Sequence, residues 1–174
     1  MSAHVILITG PRASGKSTFA AEVHRALAGS VLLRVDEPFH SAMDENRDRW
    51  AGKEIELYGI VLHRQLALAH DLAVAGGRVV VDATVLPDQL APLWETPAPD
   101  VSIIVLLPPL EECLANEHRA TRTVPVREEK VTVTWQEMQA WRQVSGVPLR
   151  TVDGNETERT QALVEVLAQL QQSL

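Results

Sequence analysis

Val5-Ile6-Leu7-Ile8-Thr9 is a short apolar run rich in β-branched residues, and it halts at Gly10-Pro11, a turn signal that a helix does not tolerate. The run predicts a first strand. Phe19, Val23 and Leu27 then recur at helical spacing as far as Gly29, so residues 16–28 predict a helix with a glycine stop. Residues 31–35 predict a second strand ending at Asp36, and the mixed-charge stretch 37–54 reads as loop and short helix. Leu57, Ile60, Val61, Leu66, Leu68 and Leu72 fit a long helix over 55–74, closed by Gly76-Gly77, with a third strand over 78–82. Residues 101–107 are the most hydrophobic run. Continuous rather than alternating apolarity predicts a strand covered on both faces, at or near the centre of a parallel sheet. A helix over 110–119, a basic segment to Arg127, a helix to about Gln143, a short strand over 149–152 and a C-terminal helix complete the pattern.

This alternation predicts an α/β chain, a three-layer α/β/α sandwich around a five-stranded parallel sheet, organised as one domain over 1–174 with a short helical lid at about 116–130. Ligands in such sheets bind beyond the carboxyl ends of the strands. Gly10, Asp36 and Asp82 each sit just after or at the end of a predicted strand, so they should share one edge.

Composition agrees with a single soluble unit: 174 residues and 19.2 kDa suit one core, and 45% hydrophobic with 22% charged residues is far from the signature of disorder. Sixteen Lys and Arg against 23 Asp and Glu give a net charge of −7, which repels a polyphosphate backbone. Nucleic acid is therefore not the expected partner. The single cysteine, Cys113, cannot form an internal disulfide, and no zinc-type Cys/His spacing occurs, which fits a reducing cytoplasm. Met1-Ser2-Ala3-His4 lacks a basic leader, and no apolar run reaches the roughly 18 residues a membrane helix needs. Neither export nor a membrane partner is expected, while monomer and homodimer both stay open.

Gly10-Pro11-Arg12-Ala13-Ser14-Gly15-Lys16-Ser17 matches G-x-x-x-x-G-K-[ST] between a predicted strand and a predicted helix, as phosphate binding requires. In this pattern the loop, continued by Thr18, turns its backbone N–H groups and the positive helix end toward phosphate oxygens. Lys16 would reach the β- and γ-phosphates of ATP and the Ser17 hydroxyl would ligand Mg²⁺. Asp82 stands where a carboxylate orients that metal, or else caps a following helix. Asp36 could take the proton of an attacking hydroxyl, or else serve as a turn or capping aspartate. His40, Arg47 and Arg49 are candidates for acceptor binding, with solvated loop charges as the plain alternative. Arg119, Arg122 and Arg127 surround Thr123-Val124-Pro125-Val126. An arginine segment there would close over the transferring phosphate, or would be no more than a solvated basic helix end. Trp50, Trp135 and Trp141 suit packing better than stacking, His63 and His70 read as surface residues, and Cys113 reads as a packed helix residue.

With these residues in view the chain resembles the P-loop kinase group that includes shikimate, gluconate and nucleoside monophosphate kinases and chloramphenicol phosphotransferase. The resemblance is most specific over residues 10–18, then in Val81-Asp82-Ala83-Thr84. Glu112-Cys113-Leu114 followed by Arg119, Arg122 and Val124-Pro125-Val126 is similar to the lid of small AAA-type ATPase-like kinases. It implies a P-loop NTPase, nucleoside-kinase-like fold, ATP, Mg²⁺ and transfer to a small-molecule acceptor. Members often carry an arginine where this chain has Asn116. Val35-Asp36 and Ala42-Met43 are similar to chloramphenicol phosphotransferase, in which the aspartate after the second strand acts as base. A metabolite or antibiotic kinase is the first expectation and a nucleoside or nucleotide kinase the second. A nucleotide-dependent switch would carry a guanine motif such as N-K-x-D, which this sequence lacks.

Overall fold

The computed structural model describes residues 4–120, 127–145, 149–152 and 156–172. Five strands, β1 (His4–Thr9), β2 (Val31–Arg34), β3 (Arg78–Asp82), β4 (Asp100–Leu106) and β5 (Leu149–Val152), pair in parallel in the order β2-β3-β1-β4-β5. β1 is central and β4 lies beside it. Parallel strands need crossovers, and these are α1 (Lys16–Ala26), α2 (Asp36–Glu45), α3 (Arg47–Trp50), α4 (Glu54–Val74), α5 (Leu110–Arg119) and α6 (Glu128–Met138), with α7 (Glu156–Gln172) closing the chain.

Helices cover both faces of the sheet, which explains why all six residues of β1 are buried and why its apolarity is unbroken. Alternate residues divide between two cores. Val5, Leu7, Val79, Val81, Ile103 and Val105 pack under α4 with Leu62, Leu66 and Trp141. Ile6, Ile8, Val80, Ile104 and Leu106 pack under Phe19, Ala20 and Val23 of α1 and Ala162 of α7. The Trp141 indole N–H donates to the Val85 carbonyl at 2.8 Å, and that of Trp135 donates to Pro108 at 2.8 Å, so both are packing residues as expected. Cys113 is buried, and burial first, then the neighbouring Glu112 charge, pushes its thiol up to about 11. It is a packed hydrophobe and not a nucleophile.

Two expectations are corrected. The stretch 37–54 is largely helical, because Asp36 and Glu37 stand favourably at the start of α2 with Pro38 in its first turn, and the apolar face of α2 is a single turn of half-buried Phe39, Ala42 and Met43. His70 is buried, not a surface residue: its Nε2 lies 3.0 and 3.1 Å from the carbonyls of Glu95 and Pro97, whose segment folds over it. Residues 139–143 continue α6 as a 3-10 turn. Among the described residues no helix is long and apolar enough to cross a membrane.

Candidate functional site

The loop between β1 and α1 takes a shape that its sequence dictates. A Cβ on Gly10 would lie 2.5 Å from the Leu106 carbonyl oxygen and 2.8 Å from Ser14 Oγ, so only glycine lets the chain leave β1 against β4. Ala13 (φ 60°) and Gly15 (φ 85°) adopt left-handed conformations, and Gly15 opens α1 without a side-chain cap. The unpaired amides of the loop and of the first helical turn therefore remain available to an anion, with the helix dipole behind them. Asn116 donates from Nδ2 to the Ala13 carbonyl at 3.0 Å and braces the loop.

Lys16 is only 7% exposed and Asp82 only 6%, in a buried pair of opposite charges at the carboxyl end of the sheet. Burial raises the Asp82 pKa above the ordinary carboxylate value, while the Lys16 ammonium and a hydrogen bond from Ser17 oppose that shift and the Asp36 charge adds to it. Asp82 Oδ1 finds no hydrogen-bond partner among the described residues. An orphaned carboxylate oxygen beside a serine hydroxyl suits Mg²⁺, which takes one or two protein oxygens and fills its sphere with phosphate and water. The next helical turn, a 3-10 turn at Pro87–Gln89, is capped at Leu86, so Asp82 is not a cap.

The buried charge of Asp82 has a consequence for stability. A carboxyl whose folded pKa is raised stabilises the fold below its unfolded pKa and loses that contribution as pH rises through the folded value. Thermal stability of the ligand-free protein should thus fall above about pH 4 on this group's account. Asp82→Asn should flatten that decline. Unfolding scans of both proteins across pH check this, and an equally steep decline in Asp82→Asn would contradict it.

A cavity of 910 Å³ opens beside the loop. Its end at the phosphate loop is lined by Arg12, Lys16, Ser17, Thr18, Asn116 and Arg159. Its other half is lined by Asp36 and Phe39 of α2, Ile55, Tyr58 and Gly59 of α4, residues of the 84–89 segment, and one face of α6. Phe39 and Tyr58 meet edge to face at 5.4 Å. The Thr84 N–H donates to the Tyr58 hydroxyl at 3.0 Å and Thr84 Oγ1 to the Gly10 carbonyl at 3.3 Å, which couples this wall to the phosphate loop. Burial, and next the charge of Asp36, raises the Tyr58 pKa well above the ordinary phenol value, so its phenol stays protonated.

The structure brings Arg12, Ala13, Gly15, Lys16, Ser17, Thr18 and Asp36 to one cavity. Gly10, Pro11 and Ser14 are buried beneath its rim as the frame of the loop, and Asp82 lies behind Lys16. Arg119 is not brought in. Its guanidinium donates to the Ala115 carbonyl at 3.2 Å and Asn116 Oδ1 at 2.8 Å, on the outside of α5. Arg122 and the 123–126 segment lie outside the described residues. Arg127 does line the cavity, whereas His40, Arg47 and Arg49 do not; Arg47 pairs with Asp44 and Arg49 lies over the Trp50 ring.

Arg159 of α7 is absent from the sequence reading, yet its Nη2 donates to the Ser14 carbonyl at 3.1 Å and lies 3.5 Å from Glu112. A cation in the first turn of a helix opposes the dipole, and that misfit is the signal that could have drawn attention to it.

A family model described as an AAA domain matches residues 5–145. No curated protein matches the chain. An unliganded sugar kinase from Janibacter sp. HTCC2649 aligns with a TM-score of 0.69 at 19% identity, covering 94% of this chain and 94% of its own. The Deinococcus radiodurans tunicamycin resistance protein aligns at 0.68 and 18% identity, covering 98% and 96%. A gluconokinase from Sinorhizobium meliloti 1021 aligns at 0.64 and 17%, covering 99% and 97%. Identities this low establish the fold, a kinase-like P-loop α/β architecture.

Proposed function

Since the chain belongs to the AAA-domain family, whose model spans residues 5–145, we propose that it is a kinase that moves the γ-phosphate of ATP to a hydroxyl group of a small molecule. The observation that carries this reading is the single 910 Å³ cavity, which holds both a phosphate cradle and an aromatic and apolar wall facing Asp36. A nucleotide switch needs the cradle alone; room for a second molecule is what a transferase requires. The kinase names of two structural relatives support the same class.

In this reading the loop amides and the α1 N-terminus hold the phosphates, and Lys16 compensates their charge from a dry position where its field is strong. Ser17 and Asp82 would hold Mg²⁺, which when bound draws off phosphate charge. Asp36 accepts the proton of the acceptor hydroxyl as its oxygen bonds to the γ-phosphorus, and ADP leaves with the electron pair of the broken P–O bond. Tyr58 and Phe39 form the face against which the acceptor rests.

The reading is tested by ADP release with ATP and Mg²⁺ across sugars, sugar acids, nucleosides and hydroxylated antibiotics. At least one compound should raise release well above the rate with water. Tight ATP binding with no acceleration by any compound would favour a switch instead.

A further inference from the structure

Gly59 is an anomaly in α4. It lies inside a 21-residue helix, where glycine is less stable than alanine, yet its φ is ordinary and a Cβ built on it would meet nothing within 4 Å. Neither backbone conformation nor packing within the protein requires a glycine there. Beside it lies a second hollow of 200 Å³ between α4 and the 88–92 segment, lined by Leu62, His63, Asp88, Ala91 and Pro92, and bordered by Gly59 and Gln89. Both Gly59 and Gln89 also line the main cavity, so the two spaces meet across these two residues.

Resting on the kinase reading, we propose that the absent Gly59 side chain is the passage between the two spaces. The acceptor is then a hydroxyl compound of two linked ring-sized units, one at Asp36 and the other in the hollow beyond Gly59. At about 30 Å³ for each water-sized atom the hollow has room for about six non-hydrogen atoms, the scale of one ring. Its floor is buried Leu62 and Pro92, which suits the face of a ring. Its rim carries His63, Asp88 and Gln89, which suit hydroxyl or amino substituents on the ring edge.

The experiment compares acceptors in matched pairs: glucose with maltose, ribose with adenosine, and 2-deoxystreptamine with neamine. ADP release should show kcat/KM at least about tenfold higher for the two-unit member of the accepted pair, the discrimination that filling a pocket commonly provides. Gly59→Ala should erase most of that preference while raising Tm by about 1–4 °C, since alanine suits an unobstructed helix interior and the variant is therefore folded. Ala91→Leu, which narrows only the far hollow, should erase the same preference. Faster turnover of the one-unit members, or a preference untouched by both substitutions, overturns the inference and leaves the kinase reading standing. No acceleration by either member of any pair, with ATP bound, removes the kinase reading and this inference together.

Discussion

Lys16→Ala should abolish phosphoryl transfer, lowering kcat by about 10³-fold or more, because a preorganised cation aimed at developing phosphate charge in a dry site is worth several kcal/mol to the transition state. Lys16 meets both conditions: it is 7% exposed and its charge acts on the Asp82 carboxylate behind it. The substitution also removes the compensating charge from Asp82, so the variant should lose some thermal stability without losing its fold. Steady-state ADP release beside a thermal scan reads both effects. A folded Lys16→Ala protein with near-normal turnover would contradict the assignment.

Asp36→Asn should behave differently. Asp36 stands at the first position of α2, and the Val35 N–H donates to the Asp82 carbonyl at 3.1 Å, so the residue is held beside the phosphate site by backbone and does not depend on its own charge for its place. The loop and α1 should bind nucleotide without it. ATP affinity by calorimetry should therefore stay within about threefold, while transfer falls by about 10²–10⁴-fold, the usual loss with a general base. Slow hydrolysis of ATP by water should persist. If affinity and transfer fell together, Asp36 would belong to the metal site, where its charge already reaches Asp82.

Lys16 was legible in the sequence from the spacing of the phosphate loop, and Asp36 from its place just after β2. The unbroken apolarity of β1, β3 and β4 marks buried parallel strands, and the residues that terminate such runs fall on the binding edge by topology alone. The phosphate loop carries its own spacing. Tyr58 and Arg159 were not legible, since they reach the cavity from segments far from the phosphate loop in the chain and have no local spacing to announce them. Arg119 misled for the opposite reason. Its position near other arginines suggests a shared role, but helix phase turns it outward onto its own backbone. α2 went unread because its apolar period, Phe39, Ala42 and Met43, lasts a single turn within a mixed-charge stretch.

Phosphate should leave ATP for a carbon-bound hydroxyl and not for water. Phosphorus NMR of the protein with ATP, Mg²⁺ and the best acceptor from the ADP-release survey tests it most directly. A new phosphomonoester resonance should grow in step with ADP, be absent without acceptor, and be lost in Lys16→Ala. Growth of inorganic phosphate alone, equal with and without acceptor, would contradict it.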